Sequence, residues 1–306
     1  MKAPRAWQGV RMRRVMAGAD HDVAERLVVL PAAWDDDAAA ALAALAPGDG
    51  QVVLATAAEA WIKPIAERAV RAGLESPLAE RLHRMLLLRH GAPTAPVWQA
   101  QDGVVPGFVL NLAAFHDTGS GFDVASFGEA VETAVTALTL AAPSAARIEV
   151  SVSDLALLLA GLGIEYGSEA SLAVARGIAA VLRGRAEVAS GSLSQLFGSV
   201  APAVLDWPSP PTETPLPGLA EAARAARQAA AAVSGLRHTS LTAIIEPGPA
   251  DALLGVETGG VAPPFSPLAA TGGLSRTARA WLTATGVSAE SALAELLAGG
   301  DPLPMP

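Results

Sequence analysis

The sequence predicts a helix-rich α/β fold, with a smaller N-terminal α/β region over residues 1–100 and a larger region over residues 101–306. Three observations carry this. Short β-favouring runs, such as RLVVL at residues 26–30, alternate with longer alanine- and leucine-rich runs of helical character. Hydrophobic residues make up 51% of the chain but aromatic residues only 4%, so alanine supplies much of the core. Alanine is the best helix former and buries little area per residue, which asks for closely packed helices. Finally, 306 residues allow about two domains, and residues 91–107, rich in Pro, Gly and Gln, offer a break between them.

In chain order, the first twenty residues are basic (Arg5, Arg11, Arg13, Arg14) and read as a mobile arm or an edge strand; a specific anionic partner is the sharper reading. After the strand at 26–30, Asp35, Asp36 and Asp37 precede an alanine-rich run, as carboxylates do at the positive end of a helix. A metal site of these aspartates is disfavoured, because consecutive helical residues point in different directions. QVVLA at 51–55 is a second strand. Thr56 with Glu59 then reads as a capping box for a helix that Pro64 kinks before it ends near Gly73. Ser76-Pro77 opens a helix with an apolar stripe of Leu78, Leu82, Met85 and Leu86. His83 and His90, seven apart, share a face of it, but without a third ligand they read as solvated or capping side chains.

Beyond the break, residues 107–115 (GFVLNLAAF) are extended and the loop HDTGSGFD follows. Ser126 with Glu129 reads as a second capping box, for a helix that Pro143 ends. Residues from Ile148 read as a buried helix stopped by Gly163. A further helix starts at Ser168, and the Gly- and Ser-rich residues 190–199 end it. Residues 205–218 hold five prolines and read as a linker or long surface loop. A strong helix at 219–233, a strand at 241–245 and two short helices at 276–284 and 289–297 complete the chain.

The formal net charge of −9 and the lack of a basic stripe argue against nucleic acid as a partner. There is no cysteine, which excludes disulfides, thiolate metal sites and thiol catalysis. The N-terminus lacks the apolar stretch of about 7 to 15 residues of a secretory signal. No charge-free apolar run of about 20 residues is visible. The expectation is a cytoplasmic protein with no membrane partner. No GxSxG elbow, HExxH, Walker loop or GxGxxG is present. The expected catalytic residues, metal ligands and cofactors are therefore none. An enzyme using His116, Asp117 and Asp123, in the loop after LNLAAF, is one alternative reading.

Three blocks, in order, resemble the large subunit of ribonucleotide reductases, most closely the adenosylcobalamin-dependent class. The first is LNLAAF (110–115) with GFD and the helix that ends at Pro143, similar to the family's INLAKF-type strand, its FD and the helix that follows. The second is RIEVSVSDLALLLAGLGIEYGSEA (147–170), similar to the family's RIGLGVMGLADLLALLGIPYDSEEA. The third joins Leu236-Arg237 and residues 242–254 to the family's LRN…T.IAPTGTISLL, and residues 259–265 to its SGIEPVF. The resemblance implies a partial reductase-barrel-like C-terminal region. It also implies a proline loop that meets a nucleotide's phosphate through Pro247, Gly248, Ala250, Asp251 and Ala252.

This chain departs from the family at that loop. Gly248 replaces a threonine, Ala250 removes a hydroxyl, Pro249 removes an N–H donor, and Ala262 replaces the glutamate of GIEP. The family's SCNLGS falls on residues 104–109, with valine at the cysteine. A chain without cysteine lacks the thiyl radical and the reducing thiol pair of reductase chemistry. The expectation is a catalytically degenerate reductase-like protein that keeps weak nucleotide binding or a docking role. The alternative is a helical interaction protein with no ligand, acting as a homodimer or as accessory partner of a true reductase.

Overall fold

The structure, a computed structural model, describes residues 5–20, 22–74, 77–117, 119, 121–200, 209–264, 266–269 and 271–300. Of the features expected above, Ser76, Phe265, residues 205–208 of the Pro-rich segment, and Thr118 and Ser120 of the HDTGSGFD loop lie outside these residues. The fold is mixed α/β and about half helical, with three small sheets.

The first sheet holds β1 (Met12–Ala17), β2 (Arg26–Pro31) and β3 (Val52–Val53), in that order, β1 antiparallel and β3 parallel to β2. The basic arm is thus largely an edge strand, and Arg13 pairs with Asp36 at 2.7 Å. Helix α1 (Asp36–Leu45) packs on this sheet, and the Asp35 carboxylate accepts from the Ala38 N–H, capping it as the acidic run predicted. Arg26 closes the other end by donating to the carbonyls of Ala43 and Ala46.

The strand expected at 51–55 is shorter, because helix α2 (Leu54–Arg71) already begins at Leu54. Its N-cap is Val53, with no side-chain bond, so Thr56 and Glu59 form no capping box. The helix continues through Pro64 and stops before Gly73. Glu59 instead meets His83 of α3 (Leu78–Leu87). The Trp7 indole N–H donates to His83 Nδ1 at 3.0 Å, so Nε2 carries the proton and donates to Glu59 at 2.8 Å. His83 is buried rather than solvated, and His90 stacks on Phe115 with ring centroids 4.2 Å apart. Among the described residues no three His, Asp or Glu gather as metal ligands.

Residues 91–107 are structured rather than a plain loop. They supply β4 (Gly91–Pro93) and α4 (Ala95–Trp98). β4 is the antiparallel edge of a four-stranded sheet ordered β4-β5-β8-β9, with β5 (Gly107–Asn111), β8 (Arg147–Ser153) and β9 (Ser240–Thr242) mutually parallel. A 3-10 turn (Leu112–Phe115) and a small hairpin, β6 (His116–Asp117) with β7 (Gly121–Phe122), follow β5. Helix α5 (Val124–Ala141) then packs on β5 and β8. Its cap is Asp123, accepting from the Ser126 N–H at 2.9 Å, rather than a Ser126/Glu129 box. By length and composition α5 alone among the described helices could cross a membrane, but most of it lies buried in this core.

Where a helix was expected from Ile148, the chain forms β8. Ile148, Val150 and Val152 alternate with Glu149, Ser151 and Ser153, a period of two, and the strand is buried at both faces of the sheet. The helix that follows, α6 (Leu155–Gly161), ends as expected at Gly163, whose φ of +66° lets the Gly163 and Ile164 N–H groups turn back to Ala160 and Leu159.

Ser168 caps α7 (Glu169–Phe197), which runs straight through the Gly/Ser stretch taken for its end. The reason is packing against α8 (Leu219–Ala231). A Cβ at Gly177, Gly184 or Gly191 would come within 2.8, 2.7 or 2.3 Å of Leu219, Ala226 or Val233. Both sets recur every seven residues in the same direction, so the helices lie parallel and in constant register. Closeness repays the weak helix propensity of glycine. Just before α8, Leu216 is buried against Gly121.

Helices α9 (Pro249–Leu254), α10 (Arg276–Thr285) and α11 (Ala289–Leu297) complete the chain. One buried cluster runs from Trp7 through Leu42, Phe127 and Leu219 to Leu254, joining residues on both sides of position 100. A second, small cluster of Leu274, Ala278, Leu282 and Ala292 belongs to α10 and α11.

Candidate functional site

Three parallel strands end together at their carboxyl edge, the place where open α/β sheets receive ligands. β5 delivers Asn111 there, β8 delivers Ser153 and Asp154, and β9 leads into the proline loop and α9. Each of these polar side chains is turned onto the chain itself. The Asn111 amide donates to the Leu254 carbonyl at 3.3 Å. The Ser153 hydroxyl donates to Asp251 Oδ1 at 2.6 Å and accepts from the Gly260 N–H. Tyr166 donates its hydroxyl proton to the Val261 carbonyl.

The residues expected to hold a phosphate gather in this place, but facing one another. Pro247 lies flat on Gly259, where a Cβ would come within 2.1 Å of the ring. The Gly248 N–H donates to Asp251 Oδ2 at 3.0 Å. Ala250 is buried in the core, and Ala252 packs at its edge. The buried Asp251 carboxylate thus occupies the N-terminus of α9, taking the donors a phosphate would need. The open depression beside it, about 570 Å³, is lined by Asp35, Asp37 and Glu257 against the single Arg276. With Asp35 paired to Arg89 at 3.8 Å and Glu257 to Arg276 at 4.0 Å, Asp37 leaves the depression negative, which repels an anion.

Sequence reasoning missed Asp154, which organises the rest. It sits in left-handed backbone (φ 60°, ψ 35°) with no exposed surface. Its Oδ1 accepts from the N–H groups of Glu257 and Thr258, both at 2.8 Å, while Oδ2 has no hydrogen-bond partner among the described residues. Burial pushes this carboxyl up to about 6, against the two N–H donors that favour its charge. Glu257 in turn accepts from the N–H groups of Arg276 and Thr277 at 2.8 and 2.7 Å and so caps α10. The local signal is the residue type alone: aspartate is one of the few side chains that visit left-handed backbone.

Two other constellations resolve into structure. His116 is exposed, Asp117 accepts from the Gly119 N–H, and Asp123 caps α5. His238 is fully buried between Ser190 and Thr139. Ser190 Oγ accepts from the Arg237 N–H and donates to His238 Nδ1; His238 Nε2 then faces Thr139, which donates to the Val135 carbonyl. Every member is satisfied and none reaches solvent, so this Ser–His pair cements α5, α7 and the chain entering β9. Burial, helped by Arg237, lowers His238 to about 4.

No family model matches the chain and no curated protein does.

Proposed function

We infer that this chain is a reductase-derived scaffold without reductase chemistry, and that its role is to dock another protein chain. The single observation that carries the reading is Asp251: its carboxylate, held by Ser153 and Gly248, fills the cradle that a nucleotide phosphate would enter. Docking is therefore favoured over weak nucleotide binding. Support for the ancestry comes from the second block, which folds as strand, left-handed turn and helix with Asp154 at the family's glycine. On this reading β5, β8 and β9 are the remnant of a reductase barrel. The partner the resemblance implies is a true reductase chain or a second copy, because helices like those of the second block take part in subunit packing in that family.

Light scattering of the protein alone and with a candidate reductase tests this. A defined complex or a homodimer is expected. A monomer that stays monomeric with the reductase sinks the docking role. In parallel, ribonucleotides and deoxynucleotides should leave the melting temperature unchanged, and a rise with any of them would restore the nucleotide-binding reading.

A further inference from the structure

A docking role needs a surface, and the first sheet offers one. Among the described residues no strand pairs with β1 on the side away from β2. The Arg11 carbonyl accepts from the Ala32 N–H at 2.8 Å, so by the alternation of an antiparallel ladder Arg13, Val15 and Ala17 also bond to β2. The N–H and C=O groups of Met12, Arg14 and Met16 therefore point to the free edge, where among the described residues they have no backbone partner. Side chains alternate along a strand, so the same residues also share one face of the sheet. Beside them on that face stand Leu27 and Val29 of β2, with Val53 of β3 beyond. Met12, Leu27, Val29 and Val53 are only partly buried and Met16 is 52% exposed; none of them joins either apolar cluster of the fold. On the opposite face Val28, Leu30 and Val52 lie in the core.

Charge narrows what can cover this edge. Arg13, on the core face, is paired with Asp36, but the exposed Arg11 and Arg14 have no acidic partner among the described residues. A second copy is a poor fit. Pairing β1 antiparallel with itself about its middle would set Arg14 against Arg14, and like charges directly opposite are destabilising. Charge on an edge strand keeps out strands that cannot match it. A strand with a carboxylate at that point matches it.

We propose that the free edge of β1 is where the partner docks, by adding an extended acidic segment antiparallel to β1. Such a segment sets a carboxylate against Arg14 and apolar side chains two residues to either side, beside Met12 and Met16. The assignment rests on the docking reading given above. The probe is a fluorescently labelled peptide, Glu-Thr-Val-Thr-Glu-Thr-Val-Thr-Glu, titrated with the whole chain at low ionic strength. Saturating anisotropy is expected, and no binding when lysine replaces each glutamate. Arg14→Glu should weaken the acidic peptide at least about tenfold and let the lysine peptide bind. Met16→Pro leaves Arg14 and the bonds to β2 in place but removes an N–H of the free edge, and should weaken binding about fivefold. Met12→Pro serves if that variant does not fold, with circular dichroism as the check. No saturable binding, a charge preference that Arg14→Glu leaves unreversed, or equal affinity in a folded proline variant overturns the proposal. So does a homodimer that the proline variant breaks, because the edge then pairs with its own copy. A reductase complex that survives both Arg14→Glu and the proline variant keeps the docking role and overturns this edge alone.

Discussion

The helical body around α7 and α8 and the small C-terminal unit of α10 and α11 are held by different physics. In the body, three glycines let α8 lie against α7 with almost no gap, and cohesion comes from dispersion over a continuous apolar cluster. In the C-terminal unit the apolar cluster is four residues, and the polar junction rests on Asp154 and Glu257 accepting backbone N–H groups. The first arrangement tolerates no added atom. The second tolerates substitution but depends on side-chain oxygens that accept backbone N–H groups.

The sharpest break of this contrast is steric. Gly184→Val would drive a side chain into the backbone of Ala226, 2.7 Å from its Cβ, and should cost at least about 3 kcal/mol in global unfolding by urea. A loss under about 1 kcal/mol would mean the helices separate easily, and the picture of a close-packed body would fail.

Acid should weaken the body next. His238 stays neutral when folded, down to about pH 4, but takes a proton near pH 6.5 when unfolded. Its contribution is complete above pH 6.5 and is lost as pH falls toward 4, by roughly 3 kcal/mol. Urea midpoints across that range should fall with acid, and His238→Gln should flatten the slope.

Asp154 has the opposite sign. Its folded-state value near 6 lies above the unfolded value near 4, so its contribution is present below pH 4 and lost as pH rises through 6. Asp154→Asn keeps an acceptor and tolerates left-handed backbone. It should stabilise the protein at pH 7 by about 2 kcal/mol and steepen the acid loss due to His238. Unchanged stability at pH 7 would show that the buried carboxylate carries no penalty.

The smallest effect belongs to Glu257→Gln. Hydrogen exchange at the Arg276 and Thr277 amides should quicken about tenfold, while exchange in α7 stays as it was. Equal quickening in both would merge the two regions into one cooperative unit.

Much of the local structure was legible in the residues. The capping aspartate at 35, the Gly163 stop, Ser168, and the helices near 219, 276 and 289 all follow from local rules. Failures came where tertiary contact decides. Residues 190–199 look like a loop because glycine and serine are poor helix formers, and only α8 explains why they stay helical. β8 was hidden because its alternation runs directly into a leucine-rich helix, so two periods read as one. Thr56 and Ser126 have the right neighbours for capping boxes, but each helix starts two residues earlier. At the site, the loop after β9 was visible as a strand-to-turn junction. That Asp251 turns inward, and that Asp154 takes left-handed backbone at full burial, depend on the neighbouring strand.

The Asp251 latch also has a genetic reading. Aspartate codons lie one base from codons for alanine, glycine and asparagine. Removing the carboxylate would leave the Ser153 hydroxyl and the Gly248 N–H as two donors around one vacated point. The step between a loop sealed by its own carboxylate and one with two unpaired donors is thus a single base change, short enough for mutation to cross in either direction.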